Sequence, residues 1–288
     1  MTMRAPHQRI CVAFALLAVT VPLNAQHATT RNVGGLVITA AAADGSDRHL
    51  SLHVGSANGH TSDYVLGDMA DPEHVTFELY DPGRLWVFDS SHVFLIDPAA
   101  ERPIDEFMVH SRSLSPDRRY MAFERGIPNG AAIADSVCLV YDAEQPPIAN
   151  SMDAELGIFR GLAVYPRENR QTQRYYAADS SRDAHRFVSP MTWISSTQFA
   201  FVDLFQNRAS VVLVDVTSGL RAPRMTETPV DAETVVDEAT LPRYLTPASA
   251  LFISSIQMMS TDQQVTLRLH LRPERWLRSS FVDVPMTK

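Results

Sequence analysis

Beyond residue 33 the apolar positions come in short runs or alternate with polar ones, and Pro, Gly, Asp, Asn and Ser separate them. Such a pattern predicts strands joined by turns. Leu36 to Ala43 and His49 to Val54, on either side of Asp44-Gly45-Ser46-Asp47, read as a hairpin with Leu50, Leu52 and Val54 on one face. Val75, Phe77 and Leu79 alternate up to Asp81-Pro82-Gly83, where proline's fixed φ and glycine's freedom suit a turn, and Leu85 to Phe88 returns. Near the C-terminus Val265, Leu267, Leu269 and Leu271 keep a period of two. Helical spacing of comparable length is not found.

Self-similarity adds to this picture. Three segments share one order: an apolar strand, a polar gap, a second apolar strand closed by Asp, and then Pro. The first runs Leu85-Trp86-Val87-Phe88, then Val93-Phe94-Leu95-Ile96-Asp97, with Pro103 after it. The second is Tyr120-Met121-Ala122-Phe123, then Val137-Cys138-Leu139-Val140-Tyr141-Asp142, with Pro146. The third is Gln198-Phe199-Ala200-Phe201, then Val211-Val212-Leu213-Val214-Asp215, with Pro223. The closing aspartates stand 45 and 73 residues apart. That fits one and then two periods of roughly 36–45 residues, the range of propeller blades. A small sheet with two apolar faces cannot bury both alone, so neighbouring sheets must stack. The repeat predicts like surroundings for Phe88, Phe123 and Phe201. Each closing aspartate is expected either to turn its carboxylate onto local amides or to be a plain solvated turn residue.

Ser115-Pro116-Asp117-Arg118-Arg119-Tyr120-Met121-Ala122-Phe123 resembles the Ser-Pro-Asp-Gly-x-x-[Ile/Leu]-Ala-Phe signature of TolB-like, WD40-type β-propeller repeats. Trp193 to Phe201 looks like a degenerate second copy that lacks Pro-Asp. Arg118 replaces the family glycine, which predicts a less tight turn. The resemblance covers about 110–225 and extends by analogy to 84–110. It implies an all-β fold: a β-propeller of antiparallel four-stranded blades, five to seven in number and irregular where the repeats degrade. Residues 30–80 and 226–288 are placed by strand content alone. Arg221 to Arg243, rich in Thr, Glu, Asp and Pro, is expected to be a polar insert near 221–243, as a loop or lid.

The N-terminus changes the compartment. Arg4 and Arg9 precede an apolar run from Ile10 to Leu23 that ends in Asn24-Ala25, the layout of a secretory signal. The run spans about 21 Å as a helix, short of a bilayer's roughly 30 Å core. Cleavage after Ala25, or alternatively after Ala28, is expected, giving a signal peptide of 1–25 and one domain of 26–288 in the periplasm or medium. Removing residues 1–25 leaves 263 residues, a formal charge of −10 and Cys138 as the lone thiol. No internal disulfide is then possible, so burial must supply stability. The acidic balance argues against a general nucleic-acid binder.

Chemical signatures are sparse. Zinc-protease spacing, a phosphate-cradling glycine loop and a nucleophile elbow are absent from the sequence. His49 and His53 on one strand lie about 13 Å apart, too far to share an ion. Asp179, Asp183 and His185 are close enough in a loop to hold Ca²⁺, against the plainer reading of a polar turn, and Ser180 and Ser181 beside them raise the weaker idea of a triad. Arg268, His270, Arg272, Arg275 and Arg278 surround Trp276 as a basic strip for an anion or polyanion, or as the solvated face of an outer strand. Trp86 and Trp193, within repeat strands, are expected to pack rather than to stack on a ligand.

No catalytic or cofactor-binding residues and no cofactor follow from the sequence. The residues favour an exported binding or scaffold protein with a protein or small-ligand partner in the cell envelope and no stable membrane span. The alternative is a propeller-type hydrolase or lactonase acting on a small ester or glycan. A third possibility is a sandwich of unrelated function with coincidental repeats.

Overall fold

The computed structural model describes residues 28–43, 49–67, 72–80, 83–89, 91–109, 111–129, 133–145, 162–165, 184–220, 223–260 and 265–286. The expected signal segment 1–25 lies outside them. Among the described residues the structure is all-β, and its helical content is one 3₁₀ turn at Ala248–Ala250.

Among the described residues the strands form five antiparallel sheets in chain order. The first holds β1 (Ala28–Val33), β2 (Leu36–Ala42), β3 (His49–Ser56) and β4 (Thr61–Gly67). The second holds β5 (Thr76–Tyr80), β6 (Arg84–Phe88), β7 (His92–Ile96) and β8 (Asp105–Met108). In the third are β9 (Ser111–Leu114), β10 (Tyr120–Asn129), β11 (Ile133–Asp142) and β12 (Leu162–Tyr165). The fourth pairs both β13 (Arg186–Phe187) and β14 (Thr192–Trp193) with β15 (Gln198–Phe205), followed by β16 (Arg208–Asp215) and β17 (Arg224–Pro229). The fifth has β18 (Ile253–Ser260), β19 (Val265–Leu271) and β20 (Phe281–Met286).

Each sheet packs face to face on the next, and one apolar cluster fills each of the four junctions. Leu50, Leu52 and Val54 of the first sheet meet Leu85, Val87, Phe94 and Ile96 of the second. The second turns Trp86, Phe88, Val93 and Leu95 onto Met121, Phe123, Leu139 and Tyr141 of the third. The third then places Ala122, Cys138 and Val140 against Phe199, Phe201, Val212 and Val214 of the fourth. Ala200, Val202 and Val211 finally meet Leu267, Leu269 and Val284 of the fifth. Inner strands covered on both faces are therefore apolar at successive positions, as in β6 and β7. Strands of the first and fifth sheets, covered on one face, alternate, as in β3 and β20.

The repeat holds in register, with one correction. Leu85 pairs Ile96, Met121 pairs Tyr141 and Phe199 pairs Val214, so Val87, Phe123 and Phe201 are the equivalent residues facing the preceding sheet. Phe88 is one residue beyond and faces the following sheet. A one-residue slip reverses every side chain, and a strand buried on both faces gives no alternation by which to detect it. Like surroundings for Phe88, Phe123 and Phe201 are thus overturned, while the stacking they were meant to report is present.

The closing aspartates all cap the chain behind them. Asp97 accepts from the Ala99 amide at 2.9 Å, Asp142 from Glu144 at 2.9 Å and Asp215 from Thr217 at 2.8 Å, the same two-residue reach each time. In the Ser115 turn, the Ser115 hydroxyl donates to Asp117 at 2.5 Å and accepts from the Tyr120 amide at 2.9 Å. Arg118 takes the left-handed φ of 64° that glycine would supply, and its amide still reaches the Ser115 carbonyl at 2.8 Å. The turn is therefore tight despite the substitution, which corrects the expectation of a looser one.

The polar stretch 221–243 contains sheet structure. Arg224–Pro229 is β17 on β16, and Val230, Ala232, Val235 and Val236 are buried in the junction of the fourth and fifth sheets. The stretch reads as loop because this rim strand is polar along most of its length and exposes Arg224, Glu227 and Pro229. β19 is likewise the middle strand of its sheet rather than an outer one.

Candidate functional site

The first strands of the second and third sheets, β5 and β9, are both sheet edges. Between them opens a groove of about 660 Å³. Thr76 and Glu78 line it from β5, Arg112 and Leu114 from β9, Phe88 from the end of β6, and Pro116 and Arg118 from the Ser115 turn. It occupies the mouth of the junction whose interior is Trp86, Phe107, Phe123 and Tyr141.

Its charges are fixed by the strands behind it. The Arg112 guanidinium carbon lies 4.2 Å from the centre of the Phe88 ring. Burial pulls the Arg112 pKa down, against the opposing pull of nearby Asp89. Asp89 is itself held by the amides of Ser91 and His92, each at 2.8 Å. At the other end Arg118 Nε donates to Glu78 at 2.7 Å and its Nη1 to the Pro116 carbonyl at 3.1 Å. The Arg118 carbonyl accepts from Trp86 Nε1 at 2.9 Å, so one turn residue ties two sheets together. Below the groove Arg119 bridges Asp142 and Glu144, and Glu144 together with burial pushes the Tyr80 pKa up to about 12, burial being the larger cause.

The neighbouring mouths are closed. Between the third and fourth sheets Trp193 stacks on Tyr120 at 6.1 Å and packs at a tilt of 47° on Phe199 at 4.8 Å, and its Nε1 donates to the Ser113 carbonyl at 2.8 Å. Between the first and second, the β1–β2 turn presses on β5: a Cβ on Gly34 would stand 2.1 Å from Leu79 Cδ2.

A second polar cluster lies between the third and fourth sheets. His185 Nδ1 and the Tyr165 hydroxyl both reach Asp203 Oδ2, at 2.6 and 2.7 Å, and the His185 ring stacks on Phe205 at 4.1 Å. Ser111 and Ser136 both donate to Glu124, at 3.0 and 2.7 Å. Asp203 is 2% exposed and His185 8%, so this is an internal polar clamp rather than an open site. Asp203 Oδ1 has no hydrogen-bond partner among the described residues.

Sequence-selected residues fare unevenly. His185 belongs to Asp203, while Asp179, Ser180, Ser181 and Asp183 lie outside the described residues. His53 pairs with Asp63 at 2.7 Å on the exposed face of the first sheet. Cys138 is buried, with Met191 Sδ at 3.8 Å. Trp86 is fully buried and Trp193 packs between strands. The basic strip is divided: Arg268 forms a two-bond pair with Asp283 at 2.7 Å, Arg278 reaches Asp237 at 3.4 Å, and Trp276 packs by Phe252. Among the described residues no three metal-binding side chains cluster, and no helix is long and apolar enough to cross a membrane. Sequence reasoning missed Thr76, Glu78 and Arg112; the signal available was two arginines among three serines and a proline in 111–118.

No family model matches the chain, and no curated protein does. Among solved structures it is similar to Kluyveromyces lactis Hsv2, at 10% identity and a TM-score of 0.31 over 69% of this chain and 59% of that one. It is also similar to puromycin hydrolase, at 14% identity and a TM-score of 0.35 over 87% and 35% of the two chains. A third is the WD40 domain of SCAP from fission yeast, at 11% identity and a TM-score of 0.25 over 84% and 50%. The aligned part is thus under two thirds of each of these chains.

Proposed function

We propose that the chain is an exported binding module of propeller type, with its sheets as blades, whose partner site is the groove between β5 and β9. The observation that carries this reading is the contrast among the mouths: the one between the second and third sheets is open and polar, and its neighbours are filled by Trp193 and by the Gly34 turn. A concavity bounded by rigid strands, with a few fixed polar groups over an aromatic floor, suits recognition of a partner from the cell envelope. Export follows from the Arg4 to Ala25 layout, and mass measurement of chain recovered from the envelope fraction tests it: loss of residues 1–25 or 1–28 is expected, and an intact N-terminus contradicts it.

The binding reading is tested with full chain and a Thr76→Trp variant, which fills the groove. Capture from an envelope extract is expected to recover a partner with the wild type and to lose it with the variant. Equal recovery by both places the partner elsewhere and overturns the groove as the site.

A further inference from the structure

From the uncovered side of the first sheet we infer that this face stacks on the same face of a second copy of the chain, forming a weak two-fold dimer. The surface is a different one from the groove, and the inference stands apart from it.

The three middle sheets are covered on both faces, which leaves one outer face at each end of the stack. The two are built differently. On the fifth sheet Arg268 pairs with Asp283 through two bonds of 2.7 Å and lies over Phe281 at 4.0 Å, while His270 reaches Gln257 at 3.3 Å. Long polar side chains that satisfy one another within the sheet are costly to cover, because a second sheet would strip water from a charged pair.

On the first sheet the side chains are short. Val65 of β4 is followed across the strands by Ser51 and Ala41, and Val37 of β2 stands opposite Gly55. Val65 is 69% exposed and Val37 48%, with the His53–Asp63 pair in the row between them. Sheets that pack face to face lie about 10 Å apart and want such short side chains between them.

Charge and shape name the occupant. At a formal charge of −8 two copies repel each other, and they do so least where a face carries few carboxylates. Among the described residues the carboxylate of this face is Asp63, held by His53 at 2.7 Å. A basic partner would be drawn to the more acidic surface elsewhere. The fifth sheet's charged face is a poor counterpart for short side chains, so the first sheet meets its own copy, an isologous contact. Four strands of six to eight residues, about 4.8 Å apart with a rise of about 3.3 Å, outline roughly 400 Å² per copy. Two copies then bury about 800 Å², about half of a standard interface, and the dimer is reversible, with a dissociation constant on the order of 100 μM.

Sedimentation velocity of the full chain from about 5 to about 500 μM tests this. A shift from monomer to dimer across that range is expected. Val65→Lys, which would bury an unpaired charge in the contact, is expected to weaken association about tenfold or more, and Val37→Lys likewise. Both positions are exposed, so the thermal midpoint of each variant is expected to stay near that of the wild type, and whichever variant keeps its midpoint carries the comparison. Phe281→Ser on the fifth sheet is expected to leave association unchanged; if it weakens association as much as Val65→Lys, the contact runs from first sheet to fifth and the isologous dimer is wrong. Association equal in wild type and both lysine variants places the contact elsewhere, on the apolar run 10–23 or another surface, and overturns the inference. A monomer at every concentration overturns it too, and if Val65→Lys then loses an envelope protein that the wild type captures, the face belongs to that protein.

Discussion

Two successive mouths of the same stack are lined by different groups. Where the third sheet meets the fourth, Trp193 lies between Tyr120 and Phe199 and hydrogen-bonds to the β9 backbone at Ser113. Where the second meets the third, Arg112 lies over Phe88 and about 660 Å³ stays open. Both arrangements cover an aromatic with a planar group. In the first, that group's N–H is bonded to the neighbouring sheet. A stack held together by faces can therefore give up one mouth to ligand binding without loosening the junction below it, because Trp86, Phe107, Phe123 and Tyr141 remain packed.

The largest effect that probes this difference is expected from Trp193→Ala. It empties the sealed mouth, strands the Ser113 carbonyl and costs about 3 kcal/mol, read from denaturant midpoints. Arg112→Ala in the open mouth is expected to cost less than about 1 kcal/mol, since a partly solvated cation over a ring contributes little to folding. If both cost the same, the distinction between sealed and open is lost. Gly34→Ala acts on the first mouth, where an added methyl meets Leu79 at 2.1 Å at a φ of +56°. A loss of about 2 kcal/mol is expected there from overpacking and backbone strain, and an unchanged midpoint would show that this mouth is not closed by contact.

Much of the stack can be read from residue order, for a physical reason. A sheet covered on both faces needs runs such as Leu85 to Phe88, and a sheet covered on one needs alternation such as His49 to Val54, so sequence pattern reports position in the stack. The same reason explains the slip at Phe88: in a strand buried on both sides each residue is apolar, and nothing marks which face it takes. β17 escaped notice because a rim strand is as polar as a loop. His185 was legible as a polar residue near Asp179 and Asp183, but its partner Asp203 lies across the β13–β15 pairing, which only the fold supplies. Arg112 and Thr76 are ordinary in sequence, and their meaning comes from the gap between β5 and β9.

Smaller effects sharpen the turns that hold the open mouth in shape. Arg118→Gly relieves a left-handed conformation that costs roughly 1 kcal/mol in other residues, and it gives up the Glu78 pair, a surface contact of similar or smaller worth. A net change within about 0.5 kcal/mol is expected, and a larger loss would show that the pair with Glu78 shapes the groove. Asp215 gives the pH arm. Burial raises its pKa, but bonds from Thr217 and Gln198 outweigh that and leave it below the ordinary 3.8. Its contribution is therefore complete above 3.8 and is lost as pH falls through the lower folded value. Asp215→Asn is expected to lower stability modestly at neutral pH, where the carboxylate contributes, and to flatten that part of the acid limb.

The central claim, one open mouth beside a sealed one, is tested most directly by the rate at which iodoacetamide labels cysteines placed in each, with buried native Cys138 as the slow internal reference. Thr76→Cys is expected to label at nearly the rate of a free thiol. Tyr120→Cys, under Trp193, is expected to label slowly and to become fast only when Trp193→Ala is added. Slow labelling at position 76, or fast labelling at position 120 with Trp193 in place, would contradict the account.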